Sequence, residues 1–318
     1  MNLLTSLRYL VALHDHRHFE RAAKACHITQ PALSNALRAL EREMGTPIVH
    51  RGRTYSGLTP EGEQVLASAR RMLREHEMLQ QALASQADRP VGRLRLGVVP
   101  SAVPVATRFC ARLQARHPGV APVVLSLPSA DIEAGLKELT LDLGLGFLER
   151  VNPRTSGFQV LAQYQEHHYL VSSAPRSPRA KGPAGASRMG EPVPWSEAAQ
   201  QPLCLLTPDM HNRSVVDAAF ARAGAVAQPV METNSVFALA LAVRSGSLSS
   251  VMPGSLVASL RDQPGLSFRP LVRPEVQTPV GFLTRKNVAP TRALEAALAL
   301  AKDADWRAEL ATLSGALN

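Results

Sequence analysis

The stretch Phe19-Glu-Arg-Ala-Ala-Lys-Ala-Cys-His-Ile-Thr-Gln-Pro-Ala-Leu-Ser-Asn-Ala-Leu-Arg-Ala-Leu-Glu41 reads as two short helices joined by a tight turn. Ala22 and Ala23 are small enough for close helix approach, and Ile28 plugs the turn. Leu33, Leu37 and Leu40, at i, i+4 and i+7, form the buried face of the second helix. Thr29 is placed to cap that helix, with Pro31 in its first turn, where a missing N–H costs little. Gln30, Ser34, Asn35 and Arg38 then share one outward stripe. Gln and Asn bond adenine edges bidentately, Arg bonds guanine, and Ser reaches bases or phosphate, so the stripe suits a DNA major groove. The plain alternative is a solvated helix face; cap, Ala pair, turn residue and polar stripe together favour recognition. Downstream, Arg51-Gly-Arg53 and Thr59 read as a wing whose cations and hydroxyl approach phosphates or the minor groove, positioning rather than specifying.

Working outward, 318 residues are enough for two or three compact units. Lys and Arg number 35 against 26 Asp and Glu, a formal charge of +9, of which residues 1–60 carry +4. Such a balance favours an anionic partner. Cys26, Cys110 and Cys204 are scattered and odd in number, without a C-x-x-C pair, which fits a reducing cytosol rather than a zinc or disulfide framework. The apolar spacing of the first residues is broken by Arg8, Asp15 and His16, unlike a signal peptide. A charge-free run of about 18 apolar residues occurs nowhere, so a membrane span is not expected. A cytoplasmic protein is the reading.

Residues 61–87 contain no Gly or Pro after Gly62 and form one long helix; Val65, Ala69, Met72, His76, Leu79 and Leu83 alternate spacings of four and three like a coiled-coil seam. Pro90 and Gly92 end it, and a domain boundary falls at 92. Beyond, strands at 93–99, 120–127, 142–147, 168–173, 203–206 and 249–252 alternate with helices at 103–116, 129–139, 213–223 and 235–246. That alternation predicts parallel-sheet α/β layers. Pro175–Pro194, rich in Pro, Gly, Ser and Arg, reads as a surface loop.

Ala22-Ala23, Thr29-Gln-Pro-Ala-Leu-Ser34, Leu40-Glu41, Gly45, Arg51 and Leu58-Thr-Pro-Glu-Gly62 resemble the LysR-type transcriptional regulators in order and spacing, and Leu141-Asp-Leu-Gly-Leu145 carries the likeness into the C-terminal half. The resemblance implies an α/β protein with an N-terminal all-α winged helix-turn-helix (1–60) and a linker helix that pairs subunits (61–89). The remainder would be a two-subdomain, periplasmic-binding-protein-like effector domain, with 92–162 and 268–302 in one subdomain and 163–267 in the other. Two departures stand out: His18 replaces a capping Ser, and Ile48-Val49 replaces Leu-Phe. Loss of the cap costs about 1 kcal/mol.

An effector in such a domain sits in the cleft, where strand C-termini meet helix N-termini and free N–H groups favour anions. Ser101 and Ala102 follow the first strand; Thr207 and Asn212 follow one in the second subdomain; Asn234 and Ser235 open another helix; Phe147 supplies an apolar wall. Each hydroxyl has the alternative role of a helix cap. The runs Leu205-Leu-Thr207, Glu232-Thr-Asn-Ser235 and Ser247-Leu-Ser-Ser-Val-Met-Pro253 are similar to the cyanate-operon and formate-responsive regulators, which implies a small anion such as formate or cyanate. Double-stranded DNA, a second copy of the chain in dimers and tetramers, and RNA polymerase complete the implied partners. His14, His16, His18 and His27 lack a carboxylate or Cys at ligand spacing, so no metal site is read. Cys110 or Cys204 reads as an inert buried thiol before an oxidant sensor. G-x-S-x-G, P-loop and dinucleotide fingerprints are absent from the sequence, so neither catalysis nor a cofactor is expected. Two rivals remain: a non-specific architectural DNA-binding protein and a small-molecule-binding α/β enzyme.

Overall fold

A computed structural model describes residues 2–50, 55–85, 89–151, 156–174 and 188–313. Arg51 and Arg53 lie outside the described residues, as does the 175–187 part of the expected loop. The chain divides into two compact units, residues 1–90 with the short segments 137–140 and 290–292, and the remainder.

The first unit begins with α1 (Leu3–His16), α2 (Phe19–Ala25) and α3 (Gln30–Met44) and ends in α4 (Pro60–Ala84). Leu7, Leu10 and Leu13 of α1, Ala22 and Ala23 of α2, and Leu33, Leu37 and Leu40 of α3 form one core with Leu66 and Ala69 of α4. His27 at φ 55° reverses the chain between α2 and α3, and Ile28 packs against the core as the sequence requires. His18 starts α2 without a side-chain cap, the consequence expected of its replacing Ser. Thr29 Oγ1 accepts from Ala32 N at 3.4 Å, capping α3. Gly45 ends α3 at φ 69°, a left-handed turn that a side chain would strain. Glu41 Oε1 accepts from the N–H groups of Ile48 (2.9 Å) and Val49 (3.1 Å), and Val49 bridges Leu58 antiparallel. Gly62 is required for close packing, since a Cβ there would lie 2.1 Å from the Ile48 carbonyl oxygen.

The second unit holds two larger sheets. In the first, β1 (Gly92–Val98), β2 (Val120–Ser126), β3 (Leu143–Phe147), β4 (Phe158–Glu166) and, from far along the chain, Thr278–Arg285 take part, with α5 (Val103–Arg116) and α6 (Ser129–Lys137) as the crossovers. The second sheet starts at β5 (His168–Ser173), a single residue beyond β4. It takes in β6 (Arg188–Met189), β7 (Val193–Pro194), Ser250–Pro253 and Leu266–Val272. Around it lie α7 (Trp195–Ala198), the strand pair β8 (Cys204–Leu206) and β9 (Met231–Thr233), α8 (His211–Arg222) and α9 (Val236–Arg244). After β10 (Ser250–Pro253) come α10 (Gly254–Leu260), β11 (Leu266–Val272), β12 (Thr278–Arg285), α11 (Arg292–Lys302) and α12 (Ala304–Leu313).

The first sheet has the order β2-β1-β3-β12-β4 and the second β10-β5-β11-β6, with β7 also on β11. The sheets are mixed, correcting the parallel expectation: β1 runs parallel to β2 and β3, whereas β12 is antiparallel to β3 and β4, and β5 to β10 and β11. The reason is the double crossing. The chain leaves the first sheet through β4 into β5 and returns from β11 to β12, so the crossing strands are not set by a helical return. Residues 188–194, read as loop, contribute the two short strands β6 and β7. Phe109, Phe282 and Trp306 pack in the first subdomain, with ring centroids 4.6 to 6.3 Å apart, and Trp195 meets Phe220 edge-on at 5.1 Å in the second.

Candidate functional site

In the first unit, Leu33, Leu37 and Leu40 turn one side of α3 into the core, which directs the other side outward. Gln30, Pro31, Asn35 and Arg38 are exposed there and Ser34 is half-buried. The stripe is internally bonded: Gln30 Nε2 donates to Ser34 Oγ at 3.1 Å, and an Arg38 N–H donates to Asn35 Oδ1 at 3.4 Å. Such exposed bonds exchange readily for water or a base edge. The Thr59 hydroxyl is engaged within its own segment. It donates to the Pro47 carbonyl at 2.7 Å and accepts from Gly62 N at 2.9 Å, so Thr59 caps α4 and ties down the chain before it. Glu41, which the sequence reading used only as part of the motif, holds the same segment. Capping carboxylates of this kind leave no sequence signal when their partners lie seven or eight residues away.

In α4, Ala69 is buried and Val65 packs on the core, so only the later seam positions Met72, Leu79 and Leu83 are exposed. The seam is therefore split between the unit's own core and an uncovered apolar edge.

In the second unit a cavity of about 180 Å³ is lined by residues of both subdomains. Ser101 follows β1, Ser129 opens α6, Phe147 ends β3, and Leu206, His211 and Asn212 flank the entry to α8. Five polar atoms at or beside the cavity have no hydrogen-bond partner among the described residues: Ser101 Oγ, Ser129 Oγ, Thr207 Oγ1, His211 Nε2 and Asn212 Nδ2. Ser101 is 2 % exposed and Asn212 6 %. Buried polar groups are nearly always satisfied, so such a cluster makes the cavity the candidate site, where water or a ligand supplies the missing partners. The first N–H groups of α6 and α8 add donors, and α8 has no side-chain cap to occupy them.

The walls combine this polar set with apolar Val99, Phe147, Leu206 and Met210. Arg150 sits on the wall and is ion-paired to Glu133 at 3.2 Å. Burial, then the nearby Arg150 charge, holds the His211 imidazole below its ordinary pKa, with Glu149 opposing. Of the sequence candidates, Ser101, Phe147 and Asn212 line the cavity and Thr207 lies beside it. Ala102 is wholly buried in the first subdomain's core, and Asn234 and Ser235 do not line the cavity. Ser235 Oγ instead caps α9, accepting from Ala238 N at 3.4 Å. Ser129, Arg150, Asp209 and His211 were missed, because their convergence depends on packing between distant segments.

The model of the bacterial regulatory helix-turn-helix proteins of the lysR family matches residues 4–63, and that of the LysR substrate binding domain matches 87–306. The chain belongs to the LysR family. It is a DNA-binding transcription regulator with a two-subdomain effector-binding domain. The chain is 27 % identical to the DNA-binding transcriptional dual regulator OxyR of Escherichia coli K12, over 289 residues covering 89 % of each. It is 40 % identical, over 38 % of its own length and 40 % of the relative's, to the SDS degradation transcriptional activation protein of a Pseudomonas strain. A full-length OxyR variant of Pseudomonas aeruginosa superposes with a TM-score of 0.67 at 25 % identity, covering 94 % of both chains. CbnR bound to its target DNA shares the fold, with a TM-score of 0.63 at 21 % identity over 94 % of this chain and 98 % of that one. Helices long and apolar enough to cross a membrane are absent among the described residues.

Proposed function

We propose that this LysR-type regulator reads a two-fold related DNA site through Gln30, Ser34, Asn35 and Arg38, with Thr29 and Pro31 shaping the helix start and Arg51 and Arg53 on phosphates. Response comes from a small organic anion held in the cavity between the two subdomains, whose crossings fall at residue 167, between β4 and β5, and at residues 273–277, between β11 and β12, rather than at 162 and 268 as the sequence suggests. The observation that carries the effector half is the cluster of orphaned polar atoms around Ser101 and Asn212 in a cavity whose wall also carries Arg150, Asp209 and Ser214 beside the apolar Val99, Phe147, Leu206 and Met210. Hydroxyls, an amide N–H and helix N-termini suit an anionic head, and Phe147 suits an apolar body.

The sequence likeness to formate- and cyanate-responsive regulators names the smallest such anions. The cavity has room for several water-sized groups, so larger monocarboxylates fit as well. Several relatives carry the name hydrogen peroxide-inducible genes activator. In this chain burial raises the pKa of all three thiols, Cys110 to about 11, and none lines the cavity. A thiolate is the form that attacks peroxide, so these side chains do not favour a thiol-based peroxide sensor. The exposed Met72, Leu79 and Leu83 edge of α4 supports pairing of linker helices into dimers, and dimers of dimers follow as the homotetramer. The protein acts in the cytoplasm, on DNA and through RNA polymerase.

Calorimetry of the full chain against formate, cyanate and benzoate tests the effector half. Binding of any of them in wild type and its loss in Ser101→Ala with Asn212→Ala supports the site; binding that survives both substitutions contradicts it.

A further inference from the structure

Glu166 is the last residue of β4, where the chain leaves the first subdomain, and it is 1 % exposed. Its Oε1 accepts from Ser255 N at 2.7 Å, and its Oε2 from Ser255 Oγ at 3.0 Å and Tyr164 Oη at 3.1 Å. Ser255 belongs to α10 of the second subdomain, and its hydroxyl has another acceptor, the main-chain oxygen of Ser101 at 2.9 Å. One hydroxyl hydrogen cannot be donated fully to both. The Ser255 hydroxyl is therefore a branch point between the crossing strand and the turn that carries the cavity's orphaned Ser101 Oγ.

What decides the branch is the proton on Glu166. Facing it are Tyr164 from its own strand, Ser255 from α10, and Thr278, its register partner on β12. Charged side chains among the described residues do not contribute to its titration; burial dominates and pushes the carboxyl up to about 8 against the bonds from Ser255 and Tyr164. His168, two residues on, is pushed down to about 4, chiefly by burial, and so brings no charge near neutral pH.

We propose that Glu166 and Ser255 are positioning residues for the effector cavity: a proton on Glu166 completes a relay in which Glu166 Oε2–H donates to Ser255 Oγ and Ser255 Oγ–H donates to the Ser101 carbonyl, fixing the Ser101 turn. When the proton leaves, the carboxylate takes the Ser255 hydrogen and the buried Ser101 carbonyl loses its donor. The turn loosens and the Ser101 hydroxyl is no longer held toward the cavity. That the turn serves an effector rests on the reading above; the relay itself does not.

Hydrogen exchange of the ligand-free full chain, followed in a peptide spanning residues 99–106 and corrected for intrinsic rates, tests the relay between about pH 6 and about pH 9, either side of the Glu166 titration. In wild type, protection falls roughly tenfold across that range, the order expected for one buried hydrogen bond. Glu166→Gln abolishes the pH step, Ser255→Ala lacks the extra protection throughout, and Ser255→Thr restores it. A step that persists in Glu166→Gln, or wild-type protection in Ser255→Ala, overturns the proposal. Should Glu166→Gln fail to fold, the infrared carbonyl band of a protonated carboxyl in the wild-type chain decides. Its presence at about pH 6 and loss in step with protection support the relay, and its absence at about pH 6 overturns it. Failure here with intact anion binding removes only the relay; a standing relay without anion binding removes only the effector reading.

Discussion

The imidazole of His211 lies against the ring of Phe147, with centroids 4.6 Å apart and planes tilted by 55°. Phe147 ends a strand of the first subdomain and His211 opens a helix of the second, so this pair joins the two subdomains within the cavity's lining. The same lining carries the unpartnered Ser101, Ser129 and Asn212 groups.

Removing an orphaned group has an unusual signature. Ser101→Ala and Asn212→Ala take away Ser101 Oγ and Asn212 Nδ2, which have no hydrogen-bond partner among the described residues, so thermal stability without ligand is unchanged or rises slightly. Ligand affinity falls, each substitution costing about 1 to 2 kcal/mol, or roughly five- to thirtyfold. Thermal unfolding and calorimetry on the same samples check both halves; an Asn212→Ala chain that is much less stable without ligand indicates a structural role instead.

The two proposed kinds of DNA contact, Arg38 on α3 and Arg53 on the segment after it, separate by their salt dependence. Arg38→Ala relaxes sequence preference and costs about 1 to 3 kcal/mol on the preferred site, whereas Arg53→Ala weakens binding to all duplexes and lowers the salt slope by about one. Titrations on matched and mutated sites at several salt concentrations check this. Equal losses from both substitutions on every duplex contradict the assignment.

Stability carries two opposed pH dependences. The Glu166 carboxyl titrates near 8 in the folded chain, above its unfolded value, so the folded state keeps a proton that the unfolded state has lost; stability falls as pH rises from about 4.5 towards 8. His168, depressed to about 4, stays neutral where the unfolded imidazole is charged, so its contribution is lost as pH falls from about 6.5 towards 4. The two slopes cancel in the overlap and Glu166 governs above it. Denaturant titrations from about pH 6.5 to about pH 8 show a decline that Glu166→Gln flattens.

Leu79 and Leu83 are exposed apolar residues at seam spacing on α4. Charging them, as in Leu79→Glu with Leu83→Glu, shifts the sedimentation profile to smaller species and lowers DNA affinity through loss of the paired half-site. Unchanged sedimentation places the subunit contact elsewhere.

Residues whose role is local were legible. Thr29, Pro31 and the Leu33-Leu37-Leu40 spacing announce α3, because capping and helical period are written within one or two turns. Phe147, Ser101 and Asn212 could be found from strand-to-helix junctions. The strands β4, β11 and β12 and the helices α11 and α12 escaped the element reading. In β4, burial at Phe158, Ala162, Tyr164 and Glu166 alternates with Gln, so a buried acid interrupts the apolar signal. Antiparallel pairing of β12 likewise depends on where the chain returns, a non-local fact. Thr59 illustrates a residue whose capping role becomes visible only with its partners, the Pro47 carbonyl and the Gly62 N–H.

The most direct test of the account is fluorescence anisotropy of the full chain on the DNA immediately upstream of its own gene, against an unrelated duplex at the same salt. A sequence-specific regulator prefers its site by about a thousandfold or more. Equal affinity for the two duplexes contradicts the recognition role of α3 and returns the protein to non-specific, architectural DNA binding.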